Sequence, residues 1–153
     1  MASYTADELL DFAIDREQEA HDLYMDLAGR AEQFDVKTFL TQLAGEELTH
    51  KAKLEEVKSG RRPFAGARDV ADLHISDYLA EVAPSGSLDY QDALILAIKR
   101  EEASRNLYTD LARLAADKEL KTVFLALAEE EGKHKHRFEI AYRYSFREHG
   151  SDS

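Results

Sequence analysis

Four glutamates and two histidines recur at matching positions in the two halves of this sequence. When residues 10–55 are laid over residues 94–139 without a gap, about 20 of the 46 paired positions are identical. The repeated ionisable residues are Glu17 and Glu101, Glu47 and Glu131, and His50 and His134. In each half, the second glutamate and the histidine are three residues apart, which places both side chains on one face of a helix. Carboxylate and imidazole groups repeated in this way are potential metal ligands.

Each of these residues interrupts a stripe of apolar side chains that is spaced as on the buried face of a helix. The stripe of the fourth predicted helix, for example, consists of Leu120, Phe124, Leu127, Glu131, His134, Phe138 and Ala141. Spacings that alternate between three and four residues indicate a face directed into a helical core. An unpaired carboxylate in such a core costs several kcal/mol, and four in one layer also repel each other. Two divalent cations would cancel the four negative charges, so the pattern predicts a two-metal site.

The set of donor atoms favours iron or manganese as the metal. Carboxylate oxygens with a minority of imidazole nitrogens suit these ions better than they suit copper or a structural zinc ion. The alternative is that the charged residues are solvated, since a single Glu-x-x-His pair on a helix is common by chance. Four interruptions at mid-helix, duplicated together with flanking Ala and Tyr residues, favour the metal interpretation.

Two tyrosines belong to the same repeated pattern. Tyr24 and Tyr108 lie seven residues after Glu17 and Glu101 on the same helical stripes. Their hydroxyls could hydrogen-bond to the ligating carboxylates and orient them. Ordinary aromatic packing in the core explains their positions equally well, so both interpretations remain open.

The other acidic and histidine residues near the repeat are expected to face solvent. Glu46 and Glu130 are also repeated, but each lies about 100° around its helix from the adjacent proposed ligand. Glu102 has the same relation to Glu101. Four further histidines have no repeated partner and are expected at the surface: His21, His74, His136 and His149.

The elements that must position these residues are four helices. The patterns predict them over about 5–32, 35–59, 88–116 and 118–147. Thr5 and Glu8 form a capping-box motif at the start of the first helix, and Ser59-Gly60 is a natural end for the second helix. The connections between helices one and two and between helices three and four are very short, so each of these pairs is expected to form an antiparallel hairpin. Residues 59–87, which include both prolines, are expected to form a long crossover between the hairpins, with a short helix starting at Ser76. The prediction is one all-α domain over residues 1–153, a ferritin-like four-helix bundle of two hairpins joined by that crossover.

Composition narrows the possible partners. The net charge of −11 argues against binding to nucleic acid or to an anionic membrane surface. The absence of cysteine excludes disulfides, iron–sulfur clusters and a thiol nucleophile. The N-terminus lacks the features of a signal peptide and no apolar stretch approaches the length of a membrane span, so a cytoplasmic protein is expected.

The combined E-x-x-A-x-x-x-Y and E-E-x-x-H patterns resemble the rubrerythrin-like branch of the ferritin-like superfamily, over nearly the whole bundle. The resemblance implies a non-haem di-iron centre that reacts with hydrogen peroxide or dioxygen. The family's metal ligands fall on Glu17, Glu47, His50, Glu101, Glu131 and His134.

The sequence departs from full-length rubrerythrins in two respects. Those proteins have a further glutamate three residues after the third-helix ligand, which exchanges with a histidine as the iron changes oxidation state. This chain has Ser104 there, so its six-ligand set is closer to a ferritin or bacterioferritin centre. Those proteins also append a rubredoxin domain with four cysteines, which this chain does not contain, so an external electron-donor protein is expected.

The function expected from the sequence is the reduction of hydrogen peroxide at a di-iron centre, with Glu17, Glu47, Glu101, Glu131, Tyr24 and Tyr108 as the catalytic residues. The alternative is a ferritin-like iron-handling protein that oxidises Fe(II) for storage or transfer. A di-manganese centre that disproportionates peroxide and a structural bundle without turnover are further alternatives. Association into a homodimer or a larger homo-oligomer is expected because ferritin-like bundles resemble one another in pairing side by side.

Overall fold

The computed structural model describes residues 4–60 and 89–150, which form four helices. Their bounds are α1 Ala6–Arg30, α2 Phe34–Ser59, α3 Tyr90–Leu114 and α4 Lys118–Gly150. The four predicted helices are thus confirmed to within a few residues at each end, and the fold is a four-helix bundle. The two prolines and the short helix expected at Ser76 lie outside the described residues. Within the described part of the chain, no helix combines the length and apolarity needed to cross a bilayer.

Local hydrogen bonds explain where several of the helices begin and end. Thr5 Oγ1 accepts from the backbone N–H of Glu8 (3.1 Å), and the Glu8 carboxylate accepts from the backbone N–H of Thr5 (3.1 Å), so the predicted capping box is present. Asp117 Oδ1 accepts from the backbone N–H groups of Glu119 (2.9 Å) and Leu120 (3.3 Å) at the start of α4. Gly60 follows α2 as predicted, but its φ of −87° is one that any residue adopts.

Side chains of α2 contact both helices of the second hairpin. Phe39 of α2 packs edge-on against Phe138 of α4, with the ring centroids 5.2 Å apart. At one end of the bundle, the Lys58 ammonium lies 2.5 Å from the Asp11 carboxylate, which places the end of α2 beside the start of α1. At the opposite end, Phe39 packs on Tyr90 at the start of α3, with centroids 5.8 Å apart. Helices α2 and α3 therefore run in the same direction, as in a ferritin-like bundle and unlike an up-down-up-down one.

The core consists of two apolar clusters with a polar layer between them. One cluster contains Leu10, Leu54, Leu111 and Phe124, and the other contains Leu27, Val36, Leu40 and Leu94. Burial of these side chains is the main stabilising contribution to the bundle. The layer between the clusters is where the interrupted stripes of all four helices meet.

Candidate metal centre

All six residues predicted as ligands come together in this polar layer. Helices α1 and α3 each provide one glutamate, while α2 and α4 each provide a glutamate and a histidine. The four carboxylates are almost inaccessible to solvent, at 0–2% exposed. The histidine rings are less uniform, because the His50 side chain is 6% exposed and the His134 side chain is 15% exposed.

The six residues form two three-residue clusters, one from each hairpin. The potential ligand atoms within a cluster all lie within 4.8 Å of one another. The clusters are Glu17, Glu47 and His50, and Glu101, Glu131 and His134.

Glu131 links the two clusters. Its Oε1 atom lies 3.0 Å from Nδ1 of His50 and 4.0 Å from Nδ1 of His134. The two imidazole rings are nearly parallel, with centroids 6.0 Å apart. A carboxylate between two histidine nitrogens is well placed to contact two metal ions at once.

Unpartnered polar atoms at the centre show that the residues fit a bound metal. Buried polar atoms ordinarily have a hydrogen-bond partner. Eight buried atoms of the two clusters make no hydrogen bond of acceptable geometry within the described part of the chain, although Glu131 Oε1 and His50 Nδ1 lie 3.0 Å apart. They are Glu17 Oε2, Glu47 Oε2, both oxygens of Glu101 and of Glu131, and Nδ1 of His50 and of His134. These are the atoms that bound cations could contact. Four carboxylates with two imidazoles are a donor set typical of a di-iron centre and compatible with manganese.

Burial and mutual repulsion govern the protonation of the carboxylates in the metal-free chain. Burial raises the pKa of Glu47 and of Glu131 well above the ordinary value, and the neighbouring carboxylates raise it further. Glu17 differs, because its burial, which alone would raise the pKa, is outweighed by polar contacts with Glu47, His50 and Tyr108 and by the charge of His50, so its pKa is lowered. Metal ions would have to displace protons from the raised pair, so metal binding is coupled to proton release.

The two repeated tyrosines make different contacts. The Tyr108 hydroxyl donates a hydrogen bond to Oε1 of Glu17, and the Tyr108 ring also stacks on Phe124 with centroids 6.2 Å apart. Tyr24 is equally buried, yet neither oxygen of Glu101 accepts a hydrogen bond from any described residue. Both interpretations left open by the sequence therefore apply to Tyr108. Burial raises the pKa of both tyrosines, so both hydroxyls stay protonated.

Sequence reasoning missed a contact of Glu46 and Glu130, which were expected only to face solvent. Both are partly exposed, but Glu130 Oε2 lies 3.3 Å from Nε2 of His50, and Glu46 Oε2 lies 3.5 Å from Nε2 of His134. Each histidine thus presents Nδ1 to the cluster and Nε2 to a carboxylate of the other hairpin. Such carboxylate–histidine pairs orient a ligating imidazole and increase its basicity. The repetition of both glutamates was the available signal, but helical angles do not reveal contacts between helices.

The remaining predicted residues lie outside the clusters. His136 is exposed, as expected, whereas His21 is half-buried and one of its ring nitrogens lies 3.0 Å from the carbonyl oxygen of Ala44. His74 and the side chain of His149 lie outside the described residues. Glu102 is exposed and pairs with Lys135 at 3.6 Å, and Ser104 is half-buried on α3.

Comparison with solved structures identifies relatives of the same fold. An uncharacterised conserved protein from Magnetospirillum magnetotacticum shares 23% identity, over 92% of this chain and 95% of that chain, with a TM-score of 0.70. A putative ferritin-like diiron-carboxylate protein from Thermotoga maritima shares 19%, over 95% and 99%, with a TM-score of 0.68. A manganese catalase from Anabaena shares 17%, over 94% and 75%, with a TM-score of 0.60. At these identities the likeness is one of fold.

Comparison with family models extends the relationship to the sequence. No curated protein matches the chain. The model of the rubrerythrin family matches residues 8–76 and 92–152, which include both hairpins and all six residues of the two clusters. This match covers most of the sequence, and it agrees with the ferritin-like bundle and the paired carboxylate–histidine clusters. The chain belongs to the rubrerythrin family.

Proposed function

We propose that this protein is an oxidoreductase that reduces hydrogen peroxide at a di-iron centre, with electrons from an external donor. The observation that carries the proposal is the buried pair of Glu-Glu-His clusters, with Glu131 between the two histidines. The proposed metal ligands are the six residues of those clusters, and Tyr108 is proposed to orient Glu17.

The number of metal positions matches the chemistry. Reduction of one peroxide to two water molecules requires two electrons and two protons. A pair of ferrous ions, when bound, supplies two electrons, which avoids the release of a radical. The protein would contribute four carboxylates that balance the charge of the ions, and a dry core on both sides that excludes water.

Deep burial supports a resident metal pair rather than metal in transit. The four carboxylates are at most 2% exposed, so ions held by them would exchange slowly with solvent. An iron-handling protein needs a route for the ions instead. The partly exposed Glu46 and Glu130 carboxylates beside the histidines are the observation that favours this second candidate, because they would attract Fe(II) to the centre.

Anaerobic loading with Fe(II) followed by stopped-flow oxidation tests the proposal. We expect two irons per chain, oxidised much faster by peroxide than by air. Comparable oxidation by air, with uptake continuing beyond two irons, would favour iron handling. Loading with Mn(II) and assaying oxygen release from peroxide would identify a di-manganese catalase. Binding far below two ions per chain would disprove the site.

A further inference from the structure

The charges of this acidic protein are unevenly distributed between the two hairpins. Residues 4–60 carry 14 Asp or Glu and six Lys or Arg, whereas residues 89–150 carry 12 Asp or Glu and 11 Lys or Arg. The basic residues of α4 are concentrated around the proposed ligand His134, in the run Lys133, His134, Lys135, His136 and Arg137. A protein with a net charge of −11 therefore has a locally basic surface next to its candidate metal centre.

This basic surface surrounds a groove between α3 and α4. The groove has a volume of about 580 Å³ and is lined by Arg105, Glu129, Gly132, Lys133, His136 and Arg137. Gly132 leaves room in its floor, and the Arg105 side chain comes within 3.5 Å of where a Cβ atom of residue 132 would lie. At the repeat-equivalent positions of the first hairpin, Gly132 is replaced by Leu48 and Arg105 by His21, so the basic groove belongs to one side of the molecule.

The positive charges on this surface are accessible to a partner. Lys133 is 71% exposed and pairs only loosely with Glu129 at 3.6 Å, and Arg137 is 61% exposed. Exposed ion pairs of this kind contribute little stability. Carboxylates of a partner protein could therefore replace the present contacts at small cost.

A chain of polar contacts leads from this surface to the candidate metal centre. Arg137 Nη2 lies 3.7 Å from Oε1 of Glu46, and Oε2 of Glu46 lies 3.5 Å from Nε2 of His134. His134 is also the most exposed of the six proposed ligands. An electron carrier bound at the α3–α4 groove would thus lie close to His134, the proposed ligand that is most accessible to solvent.

We propose that the basic α3–α4 groove is the docking surface for an acidic, one-electron carrier protein that reduces the metal centre. This inference rests on the proposed function, because each peroxide reduced consumes two electrons that must be replaced. The chain has no cysteine thiols that could supply them. Two successive encounters deliver one electron each, and each oxidises one carrier molecule. Complementary charge across such an interface mainly raises the rate of association.

The salt dependence of reduction distinguishes this surface from the charge of the whole protein. The probe is fully reduced flavodoxin, a small acidic flavin protein. It is mixed anaerobically with the iron-loaded protein in its ferric form, and the rate of iron reduction is followed by stopped-flow absorption. The net charge of −11 alone predicts repulsion, with a rate that rises as salt is added. Docking at the basic groove predicts the opposite, a rate that falls with salt. A rising rate, or no reduction at low salt, overturns the proposal.

Two matched substitutions locate the surface. Lys133→Glu reverses a charge in the groove, whereas Lys53→Glu makes the same change at an exposed position of α2. At low salt we expect Lys133→Glu to reduce the second-order rate constant about tenfold and Lys53→Glu to change it less than about twofold. Equal effects of both substitutions contradict the proposal.

The oxidative half-reaction separates this inference from the proposed function. The same variants are reduced chemically, without a carrier, and then mixed with peroxide. Oxidation at the wild-type rate, with two irons per chain, shows that any loss lies in docking. Failure of the wild-type protein to react with peroxide counts against the proposed function. The reduction experiment with flavodoxin still tests docking at the groove, because it does not involve peroxide.

Discussion

Tyr108 on α3 donates a hydrogen bond to Glu17 on α1, and the contact joins the two hairpins across 91 positions of sequence. The repeat-equivalent pair, Tyr24 and Glu101, has no such bond, since both Glu101 oxygens lack a hydrogen-bond partner among the described residues. The two clusters therefore share a ligand pattern but differ in how firmly their first glutamates are held. A carboxylate that is already oriented loses less freedom when it binds a metal.

The first prediction concerns this difference. Tyr108→Phe removes the hydroxyl that holds Glu17 and should weaken binding of one of the two metal ions about tenfold. Tyr24→Phe should leave metal content intact and alter only the rate of oxidation. Stepwise binding of Co(II), followed by calorimetry and visible absorption, measures the affinities, and stopped-flow oxidation of the Fe(II)-loaded variants measures the rate. Equal losses of affinity in the two variants would show that the hydrogen bond has no influence on the metal.

The second prediction tests Glu47 and Glu131, the glutamates of the two Glu-x-x-His motifs, which we propose as ligands shared by both metal ions. Glu47→Ala or Glu131→Ala should abolish stable binding of both metals, because each residue would contact both ions. Glu102→Ala, a change beside Glu101 at an exposed position, is the control and should retain the full content. Metal analysis after gel filtration provides the measurement. Retention of two metals per chain in either bridging variant would contradict the assignment.

The third prediction concerns the outer carboxylates that contact the histidines. Glu130→Gln removes the charge beside Nε2 of His50 while keeping the side-chain shape, and should lower metal affinity about tenfold. Glu46→Gln should have a similar effect through His134. Glu129→Gln is the matched control, because Glu129 pairs with Lys133 and not with a proposed metal ligand. The idea fails if competition with a chelator gives the same affinity for Glu130→Gln and Glu129→Gln.

The fourth prediction concerns the pH dependence of the metal-free protein. Burial raises the pKa of Glu47 and Glu131 above the value of 4.5 expected in the unfolded chain. A group with a raised folded-state pKa stabilises the fold below its unfolded-state value, and that contribution is lost as the pH rises through the folded-state pKa. Thermal unfolding in the presence of a chelator should therefore show stability falling as the pH rises above 4.5.

Two comparisons check the origin of this trend. Glu131→Gln removes one titrating group and should flatten the dependence. Metal-loaded protein should behave in the opposite way, because metal binding requires deprotonated ligands and strengthens as the pH rises. Glu17, whose pKa is lowered, contributes stability that is lost only as the pH falls below 4.5, so it does not mask the effect. Metal-free stability that rises with pH would mean that Glu47 and Glu131 are already ionised at pH 5.

Much of the fold and the composition of the two clusters could be predicted because both depend on local periodicity. The stripe through Glu131 and His134 specifies which face of α4 is buried, and the duplication identifies the corresponding face of α2. The contacts of Glu46 and Glu130 could not be predicted in this way. Their angle on their own helix is correct, but a contact with the opposite hairpin depends on the rotation and spacing of packed helices. The difference between Tyr24 and Tyr108 also depends on packing, because the two residues have the same position in the repeat.

The outer carboxylates are exchanged between the hairpins: His50 contacts Glu130, and His134 contacts Glu46, in two pairs related by the same shift of 84 positions. A two-fold axis produces this exchange when identical chains associate, because residue i of each chain then contacts residue j of the other. A single ancestral hairpin that dimerised about such an axis would already have assembled the whole centre.

Fusion of two such hairpins would have freed each copy from the symmetry that a dimer imposes. In a homodimer every substitution appears twice, so a charge added to one surface is added to both. In one fused chain the ligand set can stay the same in both copies while one outer surface changes. An example is the position that is Leu48 in the first copy and Gly132 in the second. Gene duplication thus allows a centre with a repeated set of ligands to have a single preferred side.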